Sequence, residues 1–405
     1  METRRPHFAT YEAMTTAFRA HLAPAKLDVY EALGLGLTLG PRAGIWFEDA
    51  FSGRRFINCH CNGGVFNLGH RHPAVVGAVS GALQSLDIGN HHLPSPWRAE
   101  LAERLAATTG DALPRVVFGV SGGETADLAI KVARGRTGRR RVISASGGYH
   151  GHTGLALATG DPQFRDPFGE NLPHFVQVPF NDPTALERAL DDDTAAVILE
   201  AIPATLGMPL PAEGYFAAVR RLCSARGALL VIDEIQTGLG RTGTMWGYQH
   251  EAIVPDALLT GKGLSGGIYP ITATLMTADM HAALDAHPFA HISTFGGAEP
   301  GCAAALAVLD FVEAPGFLER VTALSARFAA GFDGLPFELR RRGLFMGFKL
   351  ASEGAGFEAF RRLLEAGVFA FPAGNDRSVV QFLPPLVLTD EEADELIGRV
   401  RTAFG

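Results

Sequence analysis

The chain has little charge for its size, and almost all of its positive charge is arginine. Charged residues make up 19% of the 405 residues, below the ~25% of an average soluble domain, while apolar residues make up 47%. This balance excludes a disordered or strongly polyionic chain. Only four of the 35 basic residues are lysines, so each lysine is a candidate for a task that arginine cannot perform.

Long hydrophobic runs are also missing. The longest uncharged stretches, near residues 142–160 and 263–278, contain several glycines and polar residues, so neither resembles a membrane span of ~20 apolar residues. The N-terminal sequence lacks the apolar stretch of a secretory signal. We therefore expect a cytoplasmic protein with no membrane partner.

Basic clusters and cysteines are scarce as well. The net charge is −8, and the only runs of three basic residues are Arg139–Arg141 and Arg340–Arg342, which argues against nucleic acid as a partner. Cys59 and Cys61 flank His60, but no second pair of ligands follows at zinc-finger spacing. We predict small buried thiols, with neither a disulfide framework nor a metal site.

The hydrophobic pattern alternates between helix and strand periods from about residue 73. Such alternation predicts an α/β fold with a mostly parallel sheet and helices on both faces. The N- and C-terminal segments contain short strand-like runs and amphipathic helices, which indicate a smaller α+β domain. We place an N-terminal arm and part of the small domain at 1–65, the large domain at 66–310, and the C-terminal small domain at 311–405.

Three apolar runs end in residues typical of a ligand site, which in open parallel sheets lies beyond the carboxyl ends of the strands. The first run leads into Ser121, Gly122 and Gly123, where glycines at a helix N-terminus could hold a phosphate; an ordinary turn is the alternative. The other two end in Glu200 and Asp233. A buried carboxylate needs a cation or strong donor, and a protonated pyridine nitrogen, a salt bridge or a helix cap would each serve.

Lys262 stands apart from the other three lysines. Lys26 lies in the arm, Lys131 on a predicted helix and Lys349 on a predicted strand, whereas Lys262 follows a strand end between two glycines. Such a position leaves room for a bulky adduct and can make the amine nucleophilic, although a surface turn is the alternative. A phosphate cradle, a buried acid and a lysine together suit pyridoxal phosphate (PLP). No G-x-G-x-x-G motif follows a first strand, so a nicotinamide site fits less well.

The motifs that follow one another along the chain resemble those of the class III aminotransferases, PLP enzymes of fold type I. The matching segments cover most of the chain, and the acid and the lysine are 29 positions apart. The segments are Asn67–Pro73, Ser121–Glu124, Gly148–Thr153, Val231–Gly238, Gly240–Gly243, Gly261–Leu264, Ser293–Gly297 and Phe382–Leu386. The resemblance implies a large domain built on a seven-stranded sheet and a small domain formed by the two ends of the chain.

The resemblance also implies a role for each matching residue. Lys262 would be the Schiff-base and proton-shuttling lysine, Asp233 the partner of the ring nitrogen, and Gln236 a donor to the ring hydroxyl. The remaining residues would bind the cofactor: Ser121, Gly122 and Gly123 its phosphate, Tyr149 and Ile235 its two ring faces, His150 and Glu200 as supports, and Thr294 the cofactor phosphate of a neighbouring subunit. The enzyme would then be a homodimer with shared active sites. Core packing is the alternative for Tyr149 and His150.

Two departures from the family pattern concern the substrate. Members that act on ornithine or 4-aminobutyrate carry an arginine where this chain has Gln381, and a glutamate that pairs with it where this chain has Thr205. Neutral groups cannot offer a bidentate cationic fork. We therefore expect Gln381 and Thr205 to bind an amine, an amino alcohol or another unconventional amino donor, with Arg42 or Arg377 as a relocated cation for an oxo acid.

The sequence thus predicts a PLP-dependent aminotransferase that transfers an amino group to an oxo acid or aldehyde by a ping-pong mechanism. Lys262 and Asp233 are the predicted catalytic residues. A racemase or epimerase, a decarboxylase and a lyase on the same scaffold are the alternatives, because the sequence does not determine which substrate bond is broken.

Overall fold

The computed structural model of the protein describes residues 8–169 and 173–405, so residues 1–7 of the predicted N-terminal arm lie outside the described residues. The helices are α1 (Tyr11–His21), α2 (Pro24–Ala32), α3 (Cys61–Gly64), α4 (Pro73–Ala82), α5 (Pro96–Ala107), α6 (Gly122–Thr137), α7 (Gly154–Ala158), α8 (Pro162–Arg165), α9 (Pro183–Ala189), α10 (Tyr215–Arg226), α11 (Ala278–Asp285), α12 (Glu299–Val312), α13 (Phe317–Gly331), α14 (Glu353–Glu365) and α15 (Asp390–Phe404). Short 3₁₀ helices occupy Asp166–Phe168, Gly247–Glu251 and Lys262–Ser265.

The strands form three sheets. They are β1 (Leu39–Ala43), β2 (Trp46–Asp49), β3 (Arg55–Asn58), β4 (Arg115–Gly119), β5 (Arg141–Ala145), β6 (Phe175–Val178), β7 (Thr194–Glu200), β8 (Leu229–Asp233), β9 (Ala257–Thr260), β10 (Thr272–Met276), β11 (Glu338–Arg342), β12 (Phe345–Lys349), β13 (Val368–Phe369), β14 (Phe371–Pro372) and β15 (Val379–Phe382).

The central sheet has seven strands in the order β4-β10-β9-β8-β7-β5-β6. The pairs β9·β8, β8·β7, β7·β5 and β5·β6 are parallel, whereas β10 is antiparallel to both of its neighbours. The predicted α/β class with a mostly parallel sheet is confirmed. Its consequence for the site is direct, because the parallel strands β7, β8 and β9 lie side by side and all end at the same edge.

The central strands are buried on both faces. All seven residues of β7 are buried, as are the last four of β8 and all of β9. One hydrophobic cluster packs helices α5, α10 and α12 on one face of the sheet, and another packs α6 and α11 on the other. Near-continuous apolar strands are the expected sequence of a parallel sheet covered by helices.

The two smaller sheets use the ends of the chain. One has the order β1-β2-β3-β13, in which β13 pairs in parallel with β3 from the N-terminal segment. The other has the order β11-β12-β15-β14 and packs with α13, α14 and α15 around a separate apolar cluster. The boundaries at 65/66 and 310/311 remain predictions.

Within the described ranges, no single helix is long and apolar enough to cross a membrane. Only α12 and α13 together satisfy that test, by length and composition, and they are bent by 68° where they meet.

Candidate active site

A cavity of about 510 Å³ opens at the carboxyl ends of β7, β8 and β9, and we call it the main cavity. It has the size and the position expected of a ligand site in an open α/β sheet. Ten of the predicted site residues line it: Ser121, Gly122, Gly123, Tyr149, His150, Glu200, Asp233, Ile235, Gln236 and Lys262. Thr294, Thr205 and Gln381 are not among its lining residues.

The turn between β4 and α6 forms a glycine cradle at one side of the main cavity. Ser121 caps α6, and its hydroxyl accepts a hydrogen bond from the Glu124 backbone N–H at 3.3 Å. A Cβ on Gly122 would lie 2.9 Å from Ile235 Cδ1, and one on Gly123 would lie 2.6 Å from Thr153 Oγ1. A side chain at either position would displace Ile235 or Thr153, and the helix N-terminus leaves backbone N–H groups for an anion.

Asp233 and His150 form a buried pair on the floor of the main cavity. His150 donates from Nδ1 to Asp233 Oδ2 at 2.8 Å, and Asp233 Oδ1 accepts from the Ile235 N–H at 3.0 Å. Burial lowers the pKa of His150, but the hydrogen bond to Asp233 and the charges of Asp233 and Glu200 outweigh it and raise the pKa above its ordinary value. The imidazole of His150 therefore keeps its proton to a higher pH than a free histidine does.

Glu200 lies directly opposite Asp233 in the β7–β8 register. Its two carboxylate oxygens accept backbone N–H groups, from Tyr149 at 3.1 Å and from Ala204 at 3.3 Å. Burial raises the pKa of Glu200 to about 7; the Asp233 charge adds to this rise, and His150 and the two backbone donors oppose it. Of the two neighbouring carboxyl groups, Asp233 is the one hydrogen-bonded to the imidazole of His150.

The raised pKa of Glu200 predicts a pH-dependent stability. An unfolded glutamate titrates near 4.5 and the folded one near 7, so between these values the folded protein holds a proton that the unfolded chain releases. Stability from this group is therefore present at low pH and falls as the pH rises. Relative to Glu200→Gln, the free energy of unfolding of the cofactor-free wild type is expected to fall by up to about 3 kcal/mol between pH 4.5 and 7.

Urea unfolding at both pH values and at fixed protein concentration measures this difference. Glu187→Gln, at an exposed position, is the matched control and should follow the wild type. Parallel pH profiles for the wild type and Glu200→Gln would contradict the assignment.

Lys262 follows β9 and begins a 3₁₀ helix, where its backbone has a φ of +43°. Left-handed backbone at a non-glycine residue is strained and is concentrated at functional sites. The side chain donates from Nζ to Gln236 Oε1 at 3.3 Å. Burial lowers the pKa of the Lys262 amine, against the raising effect of the Asp233 and Glu200 charges, so a larger share of the amine is neutral and nucleophilic.

Two glutamines extend the hydrogen bonding of Lys262 into the C-terminal sheet. Gln236 Nε2 donates to Gln381 Oε1 at 3.5 Å, and Gln381 Nε2 donates to the Ala204 carbonyl at 3.4 Å. Gln381 is 6% exposed and lies on β15. The series of amides joins the reactive amine to a strand 119 positions further along the chain, and no periodicity in the sequence predicts such a contact.

The remaining predicted site residues lie at the edge of the main cavity or outside it. Tyr149 is 37% exposed at the mouth of the main cavity, and Ile235 lies against Gly122. The Thr205 hydroxyl donates to the Gly147 carbonyl at 2.9 Å instead of facing the main cavity. Thr294 is exposed in the loop before α12.

The two arginines considered for an oxo acid are both outside the main cavity. Arg42 is exposed, and its guanidinium donates to the Gly40 carbonyl at 3.4 Å. Arg377 is exposed in the loop between β14 and β15. No arginine lines the main cavity in the described part of the chain.

Arg241 is a buried residue to which the sequence assigns no role. It is 0% exposed and donates to the Asn67 side chain at 2.6 Å and to the carbonyls of Leu344 and Pro384. Burial lowers its pKa to about 10, so the guanidinium stays charged at neutral pH. The Arg241 side chain thus joins three segments of the chain near the site. The residues next to Arg241 in the sequence do not indicate these contacts.

Cys59 and Cys61 are both buried free thiols, as are Cys223 and Cys302. β3 ends at Asn58, so Cys59 follows that strand and Cys61 begins α3. Among the residues that the structure describes, no group of three or more His, Cys, Asp and Glu side chains is placed to hold a metal ion.

The mostly parallel seven-stranded sheet, with a buried lysine and two carboxylates at one edge, defines the class of the PLP enzymes of fold type I. The chain matches the family described as aminotransferase class-III over residues 37–404, and it belongs to that family. It is 50% identical over 384 residues to an uncharacterized aminotransferase of Archaeoglobus fulgidus, covering 93% of this chain and 90% of the relative.

Solved structures give the same result. A Toxoplasma gondii ornithine aminotransferase, crystallised with partial occupancy of PLP at its active site, is similar with a TM-score of 0.90 and 28% identity, over 99% of this chain and 98% of that one. A Stenotrophomonas maltophilia N-acetylornithine aminotransferase is similar with a TM-score of 0.78 and 29% identity, over 93% of this chain and 98% of that one. The predicted family, enzyme class and fold are confirmed.

Class III aminotransferases use PLP, and the main cavity fits that cofactor. In the glycine cradle, a Cβ at Gly122 or Gly123 would crowd Ile235 or Thr153, so the bare backbone keeps the turn open for a phosphate. The buried Nε2 of His150 has no hydrogen-bond partner among the described residues. A buried primary amine, a carboxylate and an anion cradle are the three groups that this cofactor needs from a protein.

Proposed function

We propose that this aminotransferase takes its amino group from an amine, an amino alcohol or another donor without a conventionally bound carboxylate. The amino group passes to an oxo acid or an aldehyde, with donor and acceptor using the main cavity in turn by a ping-pong mechanism. One observation carries the proposal: Gln381, at the position of the carboxylate-binding arginine, is a neutral amide bonded to Gln236 and Ala204.

The electrostatics of the main cavity support this choice of donor. A carboxylate is held well by a bidentate guanidinium, and hydrogen bonds to charged groups contribute about 1.5–3 kcal/mol. The main cavity offers no guanidinium in the described residues, and it already contains the carboxyl groups of Glu200 and Asp233. A donor carboxylate placed beside Gln381 would therefore have no cationic partner there.

Each catalytic role in the proposal falls to a residue with suitable contacts. When bound, PLP supplies a ring that accepts electrons as a substrate proton leaves. Lys262 would bind the cofactor and move that proton at Nζ, supported by the burial that lowers the pKa of its amine. Asp233 would hold the ring nitrogen, and the hydrogen bond from His150 would orient its carboxylate.

The remaining residues would position the cofactor. Ser121, Gly122 and Gly123 would hold the phosphate, Tyr149 and Ile235 would cover the two ring faces, Gln236 would reach the ring hydroxyl, and Glu200 would support Tyr149 and Asp233. We also propose a homodimer in which Thr294 reaches the partner's phosphate; exposed Ile292 and Phe295 beside it support an interface. The cytoplasmic location remains a prediction.

The Gln381→Arg variant tests the donor class. A guanidinium at this position is expected to raise kcat/KM for ornithine or 4-aminobutyrate with 2-oxoglutarate by roughly 10- to 100-fold, the effect of one charge-assisted contact. Because an unpaired buried arginine costs stability, Gln381→Arg combined with Thr205→Glu supplies an acidic partner and keeps the test valid if the single variant folds poorly. Steady-state kinetics with amines and amino acids measures the change.

Gln84→Arg adds the same charge at an exposed position outside the main cavity and should leave the donor preference unchanged. A folded, cofactor-loaded double variant with the wild-type preference would show that Gln381 does not determine it. A wild type that already prefers amino acids would contradict the proposed donor class itself.

A further inference from the structure

The turn that carries Tyr149 is held by side chains from two distant segments. We call residues 146–149 the Tyr149 turn. Its buried Gly147 carbonyl accepts a hydrogen bond from the Thr205 hydroxyl at 2.9 Å and another from the Asn375 side chain at 2.8 Å. The two donors lie 58 and 228 positions further along the chain. Because a buried carbonyl without a partner is costly, both donors tie the turn to its place.

The Thr205 backbone is bonded in turn to the loop that carries Asn375. We call residues 373–378, between β14 and β15, the latch loop. The Thr205 carbonyl accepts the backbone N–H groups of Asn375 at 2.8 Å and of Asp376 at 3.2 Å. A Cβ on Gly207 would lie 2.7 Å from Asp376 Oδ2, so the latch loop packs closely against the residues that follow Thr205.

Lys349 tethers the latch loop to strand β12. Its Nζ donates to Asp376 Oδ2 at 2.9 Å and to the Ser378 hydroxyl at 2.6 Å, and that hydroxyl also bonds to Asp376. Burial raises the pKa of Asp376, but the hydrogen bonds from Ser378 and Lys349 and the Lys349 charge outweigh it and lower the pKa. The tether is therefore an ion pair at neutral pH.

The position of the Tyr149 ring depends on the backbone of its turn. The Tyr149 N–H donates to Glu200 Oε2 at 3.1 Å, and the ring meets the His152 ring edge to face at 5.0 Å. The ring lines the main cavity and is 37% exposed. A shift of the turn would therefore move the ring relative to the main cavity.

We propose that Thr205 and Asn375 are positioning residues that hold the Tyr149 ring over the cofactor, and that the latch loop must be docked for the ring to lie there. This inference rests on the ring-covering role proposed for Tyr149 and adds the residues that act through it. Both donors act through the Gly147 carbonyl and contact neither donor substrate nor cofactor. Position 205 thus serves the Tyr149 turn in this chain.

A double-mutant cycle separates this positioning role from a general loss of stability. Thr205→Val combined with Asn375→Ala removes both donors to the Gly147 carbonyl. The apparent Kd for PLP, measured by absorbance titration of the cofactor-free protein, should rise by roughly tenfold, the effect of two lost hydrogen bonds. In a Tyr149→Ala background, the same two substitutions should change the Kd by less than about twofold, because the ring that they position is absent.

Three further variants serve as controls. Thr137→Val removes a hydroxyl that also donates to a backbone carbonyl, that of Ala133 at 2.7 Å, outside the main cavity, and should leave the Kd unchanged. Thr205→Ser keeps both donors and should bind PLP as the wild type does. Lys349→Met removes only the tether, so the Kd should rise by roughly threefold, and again only when the Tyr149 ring is present.

The outcomes separate the two proposals. An equal rise in Kd with and without the Tyr149 ring, or no rise at all, would overturn the positioning role while the proposed function stands. An unchanged Kd in Tyr149→Ala alone would contradict the ring-covering role itself. The donor class is tested separately, since PLP titration involves no amino donor. Thr205→Glu in the donor test also removes the Thr205 hydroxyl, but donor preference is a ratio between substrates at saturating PLP and is read independently of this loss.

Discussion

Replacing Lys262 with alanine is expected to remove both the near-visible absorbance of the cofactor-loaded protein and its transamination, with kcat falling by at least about 10³-fold. Lys262 is the only one of the four lysines that lines the main cavity of the described chain. Arginine cannot replace it, because a guanidinium is never deprotonated at accessible pH. Absorbance spectra and single-turnover kinetics measure the two effects.

Lys131→Ala is the matched control. Lys131 bonds to His291 at 3.2 Å on the surface of α6, so its loss should change neither the spectrum nor kcat. Retention of the cofactor band by the Lys262→Ala protein would show that another amine binds the cofactor.

Asp233→Asn is expected to lower kcat by about 10²–10³-fold, the range found when one preorganised electrostatic contact is removed from an active site. The substitution keeps the shape of the side chain but removes the negative charge that faces the main cavity. It also leaves burial as the main influence on His150, so the pKa of that imidazole should fall below its present raised value. Steady-state kinetics and NMR titration of the histidine report the two changes.

Asp256→Asn separates a chemical role from a structural one. Asp256 is also a half-buried acid, and it binds Arg220 and the Leu230 N–H at the opposite end of the sheet. Its substitution should lower the free energy of unfolding and leave kcat nearly unchanged. If Asp256→Asn and Asp233→Asn reduce kcat equally, the loss reflects stability and not the charge of Asp233.

Most residues that line the main cavity can be predicted from the sequence, because they stand at or just after the ends of predicted strands. Glu200, Asp233 and Lys262 each stand at or just after the end of an apolar run, and a parallel sheet brings such ends to one edge. Hydrophobic periodicity therefore carries information about which residues meet, even though they are far apart in the chain.

The sequence does not predict contacts between segments that are far apart in the chain and belong to no common sheet. Gln236 meets Gln381 across 145 positions, and Arg241 meets Asn67 across 174; neither pair is related by a strand or helix period. In the antiparallel strand β10, all five residues of Thr272–Met276 are buried, whereas the alternation over Thr272–Leu275 is typical of a strand with one exposed face. The parallel pairing of β3 with β13 likewise joins segments more than 300 positions apart in the chain.

The donor class is the central claim, and one measurement tests it most directly. The PLP-loaded protein is mixed, without any acceptor, with a panel of aryl amines, amino alcohols, diamines and α- and ω-amino acids, and the cofactor absorbance is followed by stopped flow. We predict that amines or amino alcohols convert the band faster than the amino acids do, and that an added oxo acid restores it. Fastest conversion by ornithine or another amino acid would contradict the donor class, and an unchanged band with racemised substrate would indicate a racemase.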